Sequence, residues 1–202
     1  MTPLIKICGM TDIAAVEAAV EAGADAVGFV FAESVRRLSM RHAVELSDYV
    51  PVETKRVAVM LHPTADEWRE VKDIFQPDIL QTDFADFDYL DVPERIEKWP
   101  VMREGNVPDQ LPDTFVYEGK ASGSGTTVDW QVAAQMARRG NMILAGGLNP
   151  ENVQEAIRQV APFAVDVSSG VESSPGKKDT NRIQDFIDAV RAGDSPEEET
   201  TV

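Results

Sequence analysis

Short apolar runs alternate with longer stretches whose apolar residues recur at helical spacing, from one end of the chain to the other. Leu4–Cys8, Ala26–Phe31, Arg56–Leu61, Asp78–Thr82, Thr114–Tyr117, Met142–Ala145 and Phe163–Val167 read as strands, and Pro100–Arg103 as a weak one. Helical spacing marks Asp12–Ala22, Arg41–Val50, Thr64–Phe75, Asp129–Arg139 and Asp179–Ala192, with a shorter helix over Val92–Glu97. Asn149 followed by Pro150 predicts a capped helix start, running to about Val160, because proline suits the first helical turn. Gly105–Asp113 carries two prolines and reads as a loop or a stunted helix.

Eight strands alternating with seven or eight helices predict a single-domain α/β fold, the (β/α)8 TIM barrel, over residues 1–192. Several strands are apolar throughout, as expected where both faces are buried. A doubly wound open sheet is the competing architecture. It would carry a glycine-rich fingerprint after the first strand, and Cys8-Gly9-Met10-Thr11 is not one. Residues 193–202 read as an acidic, frayed tail.

Composition narrows the picture. The 202 residues suffice for one good core, and a single cysteine rules out an intrachain disulfide. No leader pattern and no apolar run near 20 residues is visible, so a cytoplasmic protein without a membrane partner is expected. The formal charge of −16, from 35 acidic and 19 basic residues, argues against a nucleic-acid partner, which needs clustered Lys and Arg. Only seven of the basic residues are lysines. An acid-rich, lysine-poor surface suits high salt, where screening relieves self-repulsion; the plainer reading is an acidic, soluble surface. Nothing in the pattern selects an oligomeric state.

The candidate chemistry falls where strands end. Cys8 closes the first strand, at the rim where barrel enzymes work, and is either a reactive thiol or a small buried apolar residue. Asp129 opens a helix after Gly123-Ser124-Gly125-Thr126, and is either a helix cap or an acid on the same rim. Gly146-Gly147 and Ser168-Ser169-Gly170 end the last two strands, where barrel loops hold phosphate on backbone N–H groups. Tight turns would use the same residues. Asp166, inside the last strand, needs a structural partner or a ligand if it faces the barrel. Of Arg36 and Arg37, one is placed to grip a carboxylate and the other to lie in solvent. His42 reads as a helix-surface residue, and neither it nor His62 has companions for a metal site.

Five ordered motifs together resemble phosphoribosylanthranilate isomerases over about residues 4–192. They are Lys6–Thr11, Ala22–Phe31, Gly123-Ser124-Gly125 with Asp129-Trp130, Leu144–Val153, and Val165–Gly176. The resemblance implies a cofactor-free barrel that carries out an Amadori rearrangement in tryptophan biosynthesis. N-(5-phosphoribosyl)anthranilate becomes 1-(2-carboxyphenylamino)-1-deoxyribulose 5-phosphate. It also implies Cys8 as general base, Asp129 as general acid and Arg36 as the partner of the anthranilate carboxylate. Such chemistry needs a protonated acid facing a deprotonated base.

Three departures from the family pattern stand out: Val35 replaces proline before Arg36, Thr82-Asp83-Phe84 replaces Leu-His-Gly after Gln81, and Thr126 replaces lysine. Two other functions are weighed. A histidine-pathway aminoaldose isomerase would be expected to carry a carboxylate where Cys8 stands. A sugar-phosphate sensor would keep the glycine-rich loops but need neither Cys8 nor Asp129.

Overall fold

The computed structural model describes residues 2–119 and 127–192. Eight parallel strands close into one barrel in chain order: β1 (Leu4–Cys8), β2 (Ala26–Val30), β3 (Lys55–Val59), β4 (Ile79–Asp83), β5 (Glu97–Arg103), β6 (Thr114–Glu118), β7 (Asn141–Ala145) and β8 (Ala164–Val167). β1 closes the ring, pairing with β2 through Lys6–Ala26 and with β8 through Lys6–Asp166. The outer helices are α1 (Ile13–Glu21), α2 (Met40–Ser47), α3 (Ala65–Glu70), α4 (Trp130–Ala137), α5 (Val153–Val160) and α6 (Thr180–Ala192). α3 continues into one wider turn over Val71–Phe75.

Helix starts follow local chemistry. Asp12 accepts from the Ala15 amide to cap α1, and Ser39 accepts from His42 to cap α2. Thr64 and Glu67 form a reciprocal capping box at α3. The Asn149 side chain accepts from the amides of Glu151 and Asn152, so the turn begins where the sequence predicts. Regular α5 starts only at Val153.

Two sequence expectations are corrected. Six α-helices, not seven or eight, surround the barrel among the described residues. The helix expected at Val92–Glu97 is absent; a 3-10 turn at Phe84–Asp88 precedes β5, which already begins at Glu97. Pairing decides this, because Glu97 and Lys98 lie opposite Ile79 and Leu80 of β4, and the ladder outweighs weak helical preference. The β5–β6 return has no helix either. These two clipped crossovers let so short a chain close a barrel. The β9–β10 hairpin (Glu172–Ser174 and Lys177–Lys178), not anticipated from the sequence, follows β8.

Two layers form the core. Outward residues such as Ile5, Ile7, Phe29, Leu80, Phe115 and Leu144 pack beneath the helices. Inward residues Ala26, Val57, Ile79, Trp99, Val116, Ile143 and Ala164 fill the lower barrel. Alternation along the strands sends Lys6, Cys8, Gln81, Asp83, Arg103, Glu118 and Asp166 inward above that apolar plug. No helix is long and apolar enough to cross a membrane among the described residues.

Candidate active site

A cavity of about 330 Å³ opens at the carboxyl ends of the strands. Cys8, Arg36, Asp166, Gly146, Gly147 and Ser169 line it, so the structure brings most of the sequence-predicted residues together. Ser168, Gln81, Asp83, Arg103 and Glu118 line it as well. Gly170 sits just behind the wall. A Cβ there would meet the Leu148 carbonyl oxygen at 1.9 Å, so this glycine lets the loops after β7 and β8 close up on each other.

Cys8 is nearly buried at the end of β1. Burial pushes its thiol up, Lys6 and Lys178 pull it down through their charge, and Asp166 pushes it up; the net direction is up. Its carbonyl accepts from the Ser168 hydroxyl at 3.0 Å, which ties β1 to the loop after β8. Lys6 lies one inward position deeper, 1% exposed, with Nζ 2.7 Å from Asp166 Oδ2. Among the described residues, Asp166 Oδ1 is buried without a hydrogen-bond partner, as is Gln81 Oε1. Both residues line the cavity, and such orphaned acceptors suit a ligand's hydroxyl or N–H groups.

Arg36 is not a free guanidinium. Its Nε and Nη2 donate to both oxygens of Glu172, at 2.6 and 2.8 Å. Lys178 donates to the same carboxylate at 2.8 Å and to the Ser168 carbonyl at 2.9 Å. Burial alone would raise the Glu172 carboxyl, but Arg36 and Lys178 together hold it down at about 2. Burial likewise pulls Lys178 down, against the pull of Glu172. Arg37 bridges to Val30 through its backbone and does not line the cavity. Of the two arginines, Arg36 is the one that lines the cavity.

Asp129 stands apart. It is an exposed N-cap of α4, with Oδ1 accepting from the amides of Gln131 at 2.8 Å and Val132 at 3.3 Å. It does not line the cavity, and residues 120–126, including the Gly123–Thr126 loop before it, lie outside the described residues, as does the tail 193–202.

A polar chain unforeseen in the sequence lines another side of the same cavity. Arg103 pairs with Asp83, and with Glu118 at 3.0 Å. His62, in the loop after β3, lies 3.3 Å from Asp83 and 3.0 Å from Asp86 through its two ring nitrogens. The hydrogen bond to Asp86, with the nearby carboxylate charges, raises the imidazole above its ordinary range. His42 is exposed and donates its amide to the α2 cap. Among the described residues no group of His, Cys, Asp and Glu is arranged to hold a metal. Strand alternation would have flagged Lys6, Gln81 and Asp83 as inward polar residues; no local signal distinguishes Lys178 or Glu172.

A cavity at the carboxyl ends of the strands, polar on its walls and apolar below, is where barrel enzymes hold small substrates. By fold and site the chain is a (β/α)8-barrel enzyme. Residues 5–189 match the family model for N-(5'phosphoribosyl)anthranilate (PRA) isomerase. The chain is 40% identical to N-(5'-phosphoribosyl)anthranilate isomerase of Streptococcus gordonii, over 94% of this chain and 98% of that protein. It superposes on the phosphoribosyl anthranilate isomerase of Thermotoga maritima with a TM-score of 0.80 and 32% identity, covering 94% and 99% of the two chains. A further solved phosphoribosyl anthranilate isomerase, in complex with reduced 1-(o-carboxyphenylamino)-1-deoxyribulose 5-phosphate, matches with a TM-score of 0.76 and 32% identity, covering 94% and 99%. The chain belongs to the phosphoribosylanthranilate isomerase family, the isomerases of tryptophan biosynthesis.

Proposed function

We propose that the cavity binds N-(5-phosphoribosyl)anthranilate and rearranges it to 1-(2-carboxyphenylamino)-1-deoxyribulose 5-phosphate with Cys8 as general base. The observation that carries this reading is the position of Cys8 in a substrate-sized cavity beside the glycine- and serine-rich loops after β7 and β8. Support for the ligand class comes from the related enzyme solved with the reduced product analogue.

In this reading the phosphate rests on backbone N–H groups of Gly146–Gly147 and Ser169–Gly170. Arg36, held by Glu172, faces the anthranilate carboxylate. Asp166 Oδ1, without a partner among the described residues, accepts from a ribose hydroxyl.

Asp129, although outside the cavity lining, is taken as the general acid by its position before Trp130 in the family motif. Its Oδ1 serves the α4 cap, which leaves Oδ2 to carry the proton. The acid protonates the ring oxygen, the C1–O bond breaks and a C1 iminium forms. The Cys8 thiolate takes the C2 proton, and the electron pair moves to give the C1–C2 enolamine and a neutral nitrogen. Reprotonation at C1 with loss of the C2 hydroxyl proton yields the ketone. Protein groups suffice for each proton transfer, so the reading includes no cofactor. A cytoplasmic location goes with a biosynthetic isomerase carrying a free thiol.

The test is turnover, followed as the loss of anthranilate-ring fluorescence. Cys8→Ser keeps the fold and loses nearly all activity, because an alcohol gives up its proton far less readily than a thiol. Activity close to wild type in the purified variant refutes the base assignment.

A further inference from the structure

We propose that Lys6 is a positioning residue for the reaction: its ammonium, clamped by Asp166 one layer beneath Cys8, supplies the positive charge that favours the Cys8 thiolate against the cost of burying it. The inference rests on the base assignment for Cys8. Three observations carry it.

First, alternation on β1 points Lys6 and Cys8 into the same side of the barrel, and Gly28 opposite makes the space they share. A Cβ on Gly28 would come within 2.8 Å of Cys8 Sγ and 3.3 Å of Lys6 Cε. Any side chain there would separate the thiol from the ammonium stem. Second, Lys6 is buried to 1% exposure in a barrel whose lower layer is apolar. An ammonium there is costly unless paired. Its ion pair with Asp166 at 2.7 Å keeps it charged and fixes where the charge lies. Burial alone would lower Lys6, yet Asp166 and then Cys8 turn the net direction upward. Third, Asp166 lines the cavity and spends Oδ2 on Lys6, while its Oδ1 is buried and has no hydrogen-bond partner among the described residues. One carboxylate thus links the ammonium below to the ligand space above.

Charged groups act on Cys8 from four elements. Lys6 on β1 and Lys178 on β10 favour the thiolate, and Asp166 on β8 opposes it. Arg36, after β2, also feels the thiolate's charge but is committed to Glu172. Lys178 is shared between Glu172 and Ser168. Lys6 is the cation with the larger influence, and Asp166 offsets it only in part.

The chain has one cysteine, so alkylation by iodoacetamide reports Cys8 alone. The rate is measured against pH in the intact folded protein, with circular dichroism as the check on folding. Lys6→Met keeps the stem and removes the charge. Its alkylation rate at pH 7 falls by about tenfold or more, the usual scale for losing an adjacent opposite charge, and the profile moves to higher pH. The alkaline recovery of kcat moves the same way. If Lys6→Met fails to fold because Asp166 is left unpaired, the double variant Lys6→Met/Asp166→Asn removes both charges and carries the same test. It alkylates more slowly than wild type at pH 7. A wild-type alkylation profile in whichever of these variants folds overturns the proposal, since a purely structural role would leave the thiol's titration unmoved. An active Cys8→Ser enzyme would remove the base assignment instead, and leave the alkylation series standing.

Discussion

Glu172→Gln removes the one anion that holds Arg36 and Lys178 together behind the cavity wall. Both its oxygens are engaged, and the side chains of Glu172 and Lys178 are 4% and 0% exposed. The depression of the carboxyl from 4.5 to about 2 corresponds to about 3 kcal/mol of stability at pH 7. That figure agrees with the cost of about 3–5 kcal/mol for breaking a buried ion pair from one side. For a chain of this size the loss lowers Tm by roughly 6–12 °C.

The sign of the pH dependence follows from the direction of the shift. A carboxyl whose folded value is depressed stabilises fully above its unfolded value and loses that contribution as pH falls through the folded value. The stability gap between wild type and Glu172→Gln therefore holds from neutral pH down to about 4.5 and closes between there and about 2. Urea unfolding at a series of pH values from about 7 to about 3 measures it. A gap that stays constant across the acid range, or no gap at neutral pH, refutes the argument that Glu172 works as a buried counter-ion.

Arg36→Ala raises KM by loss of a charged substrate partner, while Arg37→Ala, outside the cavity, leaves it unchanged; the reverse pattern in steady-state kinetics would mean the wrong arginine was assigned. Asp129→Asn keeps a competent helix cap but removes the proton donor, so turnover falls by about 10²-fold or more with little change in binding of a product analogue. An active variant with an unaltered pH profile would leave Asp129 as a cap alone. With a net charge of −16, Tm rises between about 0.1 M and about 3 M KCl, as the Debye length shrinks from about 10 Å to below about 3 Å. A flat or falling Tm in calorimetry would discard adaptation to high salt.

Periodicity located seven of the barrel strands as short apolar runs distinct from their neighbouring helices, and β5 only as a weak one. Caps such as Asp12, Ser39, Thr64 and Asn149 act within a few residues, so helix starts were legible or close to it. Cys8, Arg36, Asp166 and the two glycine-rich loops were legible as site candidates because each ends or follows a strand, and a closed barrel gathers strand ends at one rim. The extent of β5 was not, because its first residues are held by their partners on β4 rather than by their own preference.

Charge pairing was the other thing only the tertiary structure decided. Lys6 and Asp166 are 160 positions apart, and Arg36 and Glu172 are 136 apart. Ring closure between β1 and β8 joins the first pair, and the hairpin after β8 brings Glu172 and Lys178 to Arg36. A sequence marks which side chains are able to carry charge. Which charges share a buried site depends on strand register, and burial there sets how strongly each one perturbs the next.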